Sequence, residues 1–447
     1  MSLFERRAER KGRDVQLTRK SAIDNPYIDE LVEHYKSRIL KEANLELLTS
    51  LPQGQMRLKI EQLISQFMSE EKIILSRHDK DLLLTRIIDE SIGYGPLEPL
   101  LNDPSITEIL INGHQEVYIE KMGQLKPAPI TFRDENHIRH IVDRIVAPIG
   151  RRIDESSPMV DARLPDGSRV NAVIPPISLN GTLVSIRKFR ETPFKMADLL
   201  NFETLSNEMA IFLDAIVKSK LNVLISGGTG SGKTTLLNVL GNSIPNRERV
   251  ITIEDSAELK LDKENVVGME ARPENVEGKG EITIRHLVKN SLRMRPDRII
   301  VGEVRGAEAF DMLQAMNTGH EGSITTVHAN TPFDALRRVE GMVIMAGMDL
   351  PSHIIREYIV GALDIIVQVQ RLTDGTRKIT SISEVYRTEE GGIETSEIFT
   401  FRRVGMKKSG QIEGHFTATG VIPKCFDRIK AFGIDLPPNL FTVQEVG

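Results

Sequence analysis

Apolar residues change their spacing several times along this chain, and each change predicts a different kind of structure. From Ile23 to about Phe67 the positions Ile28, Leu31, Val32, Tyr35, Ile39 and Leu40 recur at helical spacing, and a second run follows through Leu58, Ile60, Leu63, Ile64 and Phe67. A small helical bundle is expected. A third helix, Asp79 to Ile92, stops at Gly93 and the turn Tyr94-Gly95-Pro96, which predicts a boundary near residue 80. Between about 94 and 190, strand-like runs at Glu108–Asn112, Glu116–Glu120, Val170–Ile174 and Leu183–Lys188 surround one helix, Glu135 to Ile149, the pattern of an α+β module. Pro193 and the polar stretch after it read as a linker, followed by a helix at Ser206–Ser219. Beyond it, the apolar runs Leu221–Ile225, Val250–Ile253, Ile299–Val301, Ser323–Val327 and Ile365–Val369 alternate with helix-length segments. That alternation predicts an α/β domain on a mainly parallel sheet. The expected organisation is a tail over 1–20, a helical bundle over 21–80, an α+β module over 81–192, a linker over 193–205 and an α/β domain over 206–447.

Composition narrows the class. Of 447 residues, 40% are apolar and 27% charged, ordinary globular usage with room for several cores. The balance of 58 Lys and Arg against 63 Asp and Glu gives a net charge of -5, so no global basic field drives nucleic-acid binding. Aromatic content of 5% without tryptophan leaves few platforms for stacking bases. The first twenty residues are locally basic, with seven cationic side chains against three acidic ones, which suits a mobile tail or an electrostatic tether. Cys425 is the single cysteine, so neither a disulfide framework nor a four-cysteine zinc site is available, and a reducing compartment is expected. No apolar window reaches the roughly 20 residues of a membrane-spanning helix, so membrane contact is expected to be peripheral.

Chemistry concentrates in the α/β region. Gly227-Gly228-Thr229-Gly230-Ser231-Gly232-Lys233-Thr234-Thr235 contains the P-loop spacing, preceded by a predicted strand and followed by a predicted helix. Glycines let successive backbone N–H groups curl round phosphate. Lys233 adds a charge at the β- and γ-phosphates, Thr234 offers a hydroxyl to Mg²⁺, and the helix N-terminus adds its dipole. Nucleoside triphosphate is therefore the expected substrate. Arg249 to Asp255 predicts a strand ending in the paired carboxylates Glu254 and Asp255, expected at the sheet edge next to the P-loop, where they could orient a water. Arg295 to Gly306 contains an apolar strand ending in Glu303, a Walker-B-like element in which Gly302 replaces the usual Asp. Gly319 to Asn330 contains a Ser/Thr-rich strand ending in His328, a candidate sensor of phosphate. His320-Glu321 lacks the second histidine of a zinc-protease helix, because position 324 is Ile, so a metal-ligand cluster is not expected.

Together GGTGSGKTT, ITIED, RPDRIIVGEVRG and GHEGSITTVHAN resemble the Walker A, Asp box, Walker B and His box of the secretion ATPase superfamily of type II and type IV secretion and type IV pili. The segments YGPLEPLLNDPSITEILING, VDARLPDGSRVNAVIPP and GVIPKCFDRIKAFGIDLP resemble more narrowly the CpaF-type ATPases of tight-adherence (Flp) pili. That resemblance implies a RecA-like P-loop ATPase domain preceded by a PAS-like α+β module, with ATP as substrate and Mg²⁺ as cofactor. It implies a hexameric ring, cytoplasmic and peripheral at the inner membrane, that acts on platform proteins; the charge balance and low aromatic content argue against a stable nucleic-acid partner. Gly228 to Thr235 would bind nucleotide, Thr234 and Glu303 would serve Mg²⁺, and Glu254 or Glu303 would activate water. His328 would sense phosphate, and Arg163, Arg169 and Arg187 would reach the nucleotide from the upstream module. A nucleic-acid-linked conjugation ATPase is the alternative, because it shares this chemistry.

Overall fold

The computed structural model of the chain describes residues 26–42, 53–91, 93–121, 123–189, 192–274, 279–347, 349–389 and 391–443. The basic stretch over 1–20 lies outside them. The fold divides between residues 190 and 191 into two compact units.

In the first unit, the helical spacing is realised by helices Pro26–Glu42, Gln53–Glu70 and Arg77–Ser91. Their apolar stripes close on one another: Ile28, Tyr35, Ile60, Ile64, Leu83 and Ile87 form one core, with the rings of Tyr35 and Phe67 stacked 6.2 Å apart. The third helix, which a boundary near residue 80 would give largely to the following module, thus packs into the bundle. It is also tied onward. Glu90 receives Lys36 Nζ at 3.1 Å and lies 3.3 Å from His137 Nε2, while Arg144 donates to the carbonyls of Glu90 and Gly93.

The module that follows is a six-stranded antiparallel sheet. Its strands are β1 (Ile106–Asn112), β2 (Glu116–Lys121), β3 (Gln124–Pro127), β4 (Met159–Arg163), β5 (Arg169–Val173) and β6 (Leu183–Arg187), in the order β3-β2-β1-β6-β5-β4. Helix Glu135–Val146 starts at Asp134, whose carboxylate accepts the His137 N–H at 2.8 Å. Its Ile138, Ile141, Val142 and Ile145 share one core with Ile109, Ile111, Val170 and Ile186 of the strands. Two strands escape an apolar-run search, β3 because all four of its residues are exposed and β4 because only Val160 is buried.

The second unit is built on β7 (Val223–Gly227), β8 (Val250–Glu254), β9 (Val266–Glu270), β10 (Arg298–Val301), β11 (Ile324–Val327), β12 (Ile365–Arg371), β13 (Arg377–Arg387), β14 (Ile393–Met406) and β15 (Ile412–Ala418). They form one sheet in the order β15-β14-β13-β12-β7-β11-β10-β8-β9. From β12 to β9 all neighbours are parallel, and β13 to β15 add antiparallel hairpins at one edge. The P-loop strand β7 is flanked by β11 and β12, the order of a RecA-like core. Parallel strands covered on both faces must be apolar throughout, and β7, β8, β10 and β11 are buried along their whole length. Val223 and Ile225 face one core with helices Asn207–Lys218 and Lys233–Ser243. Leu224 faces the other, with Leu313, Val339 and Ile359 of three further helices.

The stretch read as a linker, 193–205, is folded. Helix Met196–Asn201 lies within it, and Leu199 and Leu205 join the core of the second unit. The sheet end remote from the P-loop is pinned by polar contacts. Fully buried Arg298 donates to Glu248 Oε2 at 2.5 Å and to the carbonyls of Val217 and Gly322 at 2.9 and 3.1 Å. Asn222 Oδ1 receives the N–H groups of Gly322 and Ser323 at 2.8 and 3.0 Å.

Candidate active site

The opposite ends of β7, β11 and β10 carry the chemistry. Buried β7 delivers the chain into Gly228, Thr229, Gly230 and Ser231, and helix Lys233–Ser243 starts from Gly232 at φ 99°, with Thr234 and Thr235 in its first turn. Gly230 also has positive φ, at 69°, and these two glycines let the loop reverse without strain. A Cβ at Gly227 would collide with the Val369 carbonyl and come within 2.6 Å of Ser231 Oγ, so strand β12 and the loop need that position bare. Ser231 Oγ and Lys233 Nζ both donate to the Gly228 carbonyl, at 2.9 and 3.0 Å, which braces the loop from within.

Lys233 is 7% exposed, and its Nζ lies 3.4 and 3.3 Å from Nδ1 and Nε2 of His328, at the end of β11. His328 Nε2 is in turn 3.0 Å from Glu303 Oε1, just past β10. Partial burial, and next the charge of Lys233, hold the imidazole below its ordinary pKa, so it stays neutral beside the lysine. Arg305 closes the row: it donates to Glu303 Oε2 at 2.6 Å and lies 3.4 Å from Asp255 Oδ2. The bond to Glu303 raises the guanidinium above its ordinary pKa. Glu303 Oε1 is buried, with the neutral His328 ring 3.0 Å away. A carboxylate oxygen beside a phosphate-binding loop has the hard donor character that suits Mg²⁺ or a water it carries. Among the described residues no three His, Cys, Asp or Glu side chains gather to hold a metal by themselves.

Glu254 requires a correction. Its strand β8 was expected beside the P-loop, but β11 and β10 stand between β8 and β7. The cause is the RecA-like order, in which sequence neighbours are not sheet neighbours. Nor do the two carboxylates act as a pair: Asp255 is half-exposed on Arg305, whereas Glu254 is 5% exposed and accepts the N–H groups of Glu258 and Leu259 at 2.8 and 3.1 Å. Gly302 explains the altered Walker B. A Cβ there would sit 3.0 Å from Glu254 Cγ, so the glycine makes room for the Asp-box glutamate.

In the first unit, Arg163 pairs with Arg169 across β4 and β5, and Arg169 with Arg187 across β5 and β6. Directly opposed residues of an antiparallel pair share a face, so the three candidate arginines form one row. Three residues of the second unit were given no role in the motif reading. Arg305 was within reach, because it stands two positions after Glu303 at a strand end. Arg371 and Arg377 carried no signal: only the parallel pairing of β12 with β7 brings their hairpin to the loop, where Arg377 Nε donates to the Gly230 carbonyl at 3.0 Å.

A P-loop, two acidic strand ends and a histidine on a RecA-like sheet define a nucleotide-hydrolysing domain. A family described as type II/IV secretion system protein matches residues 90–417, and the chain belongs to it. It is an ATP-hydrolysing enzyme of the secretion and pilus type. A putative conjugal transfer protein of Mycobacterium tuberculosis is 37% identical over 316 residues, 69% of this chain and 89% of its own length. The type IV secretion system protein VirB11 of Bartonella henselae is 33% identical, over 64% of this chain and 90% of its own length. Among solved structures, the VirB11 ATPase of the Brucella suis type IV secretion system, in complex with sulphate, is 31% identical, covering 65% of this chain and 95% of that one at a TM-score of 0.36. Among the described residues no helix is long and apolar enough to cross a membrane.

Proposed function

We propose that the chain is a ring-forming motor, hexameric and held at the inner membrane through platform proteins, that hydrolyses ATP to drive assembly of a tight-adherence type IV pilus. The observation that carries the ATPase part is the row Lys233–His328–Glu303–Arg305, which aligns cation, neutral imidazole and carboxylate at the mouth of the P-loop. Gly228 to Thr235 hold the phosphates, with Lys233 at the β- and γ-positions. Thr234 and Glu303 hold Mg²⁺, which supplies charge neutralisation at the phosphates when bound. Glu254 takes the proton of the attacking water, as its strand-end position suggests. The place of Glu303 in the row beside Lys233 and His328 favours the reverse division, so the base is assigned by experiment below.

The arginine row supports the ring. Arg163, Arg169 and Arg187 stand as register neighbours on one face of the sheet, a concentration of guanidinium groups that suits phosphate. Arginines brought to a transferring phosphoryl group are worth roughly 10³–10⁵ in rate. Specific activity should therefore rise steeply with protein concentration, followed beside light scattering of the same samples. Alanine at Arg163, Arg169 or Arg187 should lower turnover far more than ATP affinity. Full activity in a demonstrated monomer, with all three variants unaffected, would remove both the ring and the arginine roles.

The pilus reading draws on the three segments that resemble CpaF-type ATPases. A second reading, a conjugation-type secretion ATPase, is favoured by the names of the relatives above. Stimulation of turnover by the cytoplasmic domain of the pilus platform, with no response to DNA, supports the first; stimulation by DNA alone supports the second.

A further inference from the structure

The hairpin β12–β13 lies far from the P-loop in sequence, yet its two closing residues both meet the loop. Arg377 Nε donates to the Gly230 carbonyl at 3.0 Å, and its Cδ lies 3.4 Å from where a Cβ on Gly232 would stand. Arg371 Nη1 lies 3.6 Å from the corresponding point on Gly230. Arg371 and Arg377 are also register partners, so two cations face each other across one antiparallel pair. Both side chains therefore leave the hairpin at the same level of the ladder, beside the loop. The hairpin is anchored on its other side. Lys378 Nζ donates to the Glu203 carbonyl at 2.5 Å, the Ile379 N–H donates to the Thr204 carbonyl at 2.8 Å, and Asp374 in the turn accepts the Ile412 N–H at 2.8 Å. A side chain on so fixed a base holds its target in one orientation.

We propose that Arg371 and Arg377 belong to the nucleotide site. Arg377 is a positioning residue that turns the Gly230 carbonyl outward, so the neighbouring loop N–H groups point at phosphate, and Arg371 adds its charge to the same rim. The ligand is the polyphosphate of the nucleotide. This rests on the reading of the P-loop as the ATP site.

The test titrates a fluorescent ATP analogue with Mg²⁺ into full-length wild type and into Arg377→Ala, Arg377→Lys, Arg371→Ala and Lys233→Ala, beside kcat at saturating ATP. Losing one hydrogen bond from a charged donor should weaken binding by Arg377→Ala about tenfold, with kcat within about twofold. Arg377→Lys should recover most of the affinity, and Arg371→Ala should weaken binding several-fold, more at low salt than at high salt. Wild-type affinity in both alanine variants overturns the proposal. So does a loss in Arg377→Ala that falls on kcat alone, or one that lysine does not restore and a lower Tm accompanies. If wild type does not bind, or Lys233→Ala binds as tightly, the P-loop reading fails instead.

Discussion

Adding one methyl group at Gly302 tests how the two acidic strands share space. The new Cβ would stand 3.0 Å from Glu254 Cγ and 3.6 Å from its Cβ. Carbon atoms in contact prefer about 3.5–4.0 Å, so Glu254 or its strand must yield by about half an ångström. Glu254 cannot yield freely, because the N–H groups of Glu258 and Leu259 hold its carboxylate. Gly302 does not have a positive φ, so the effect is one of contact alone. Overpacking on this scale costs about 1–2 kcal/mol, which for a unit of this size is a Tm lowered by about 2–6 °C. If Glu254 is the base, a displacement of half an ångström should also cost on the order of tenfold in turnover. Differential scanning fluorimetry and steady-state phosphate release on Gly302→Ala give both quantities. The same substitution in a Glu254→Gln background should still lower Tm but leave residual turnover unchanged, because the group it displaces no longer works. Wild-type Tm and turnover in the single variant would refute the crowding, and an equal loss in the Glu254→Gln background would refute its action through Glu254.

Three further outcomes are expected. Glu254→Gln should bind ATP and fail to hydrolyse it; normal turnover there with a dead Glu303→Gln would exchange the two roles. The pKa of His328 is depressed, so as pH falls through about 6.5 the unfolded chain takes up the proton before the folded one, and stability present above that pH is lost below it. His328→Asn should therefore show a smaller fall in Tm between pH 7.5 and 5.5 than wild type, and an equal fall would count against the depressed value. Glu248→Ala would strand the fully buried Arg298 guanidinium at a cost of about 3–5 kcal/mol, or on the order of 10 °C in Tm, and a change under about 2 °C would show that the guanidinium finds other partners.

The legible parts of the fold were those where burial on both faces leaves a plain apolar run. Strands β7, β8, β10 and β11 announce themselves that way, and the P-loop fixes which of them comes first. Strands β14 and β15 do not, because one end of their hairpin is exposed, with Val404 at 69% and Met406 at 55%, and β13 does not, because buried Lys378, Ser381, Ser383 and Glu384 interrupt its apolar run. The motif acids were legible as strand ends, but their mutual placement was not. Sheet order depends on crossovers, and nothing local in Arg249 to Asp255 states that two strands will insert between it and the P-loop. Arg371 and Arg377 were hidden for the same reason, since their approach to Gly230 is a consequence of pairing over about 140 residues of chain.

The strand inserted between β7 and β10 acts as a gauge. Neighbouring strands stand about 4.8 Å apart, so the lysine-bearing loop and the Glu303 carboxylate start from backbones about 10 Å apart. That width belongs to the hydrogen-bond ladder and cannot drift with side-chain substitution. It is bridged by a single imidazole, 3.3 Å from the amine on one side and 3.0 Å from the carboxylate on the other. Replacing His328 therefore alters what spans the slot without altering its width, whereas a residue inserted or lost in β11 would shift the spanning side chain to the opposite face. The first kind of change alters one contact and the second removes the bridge.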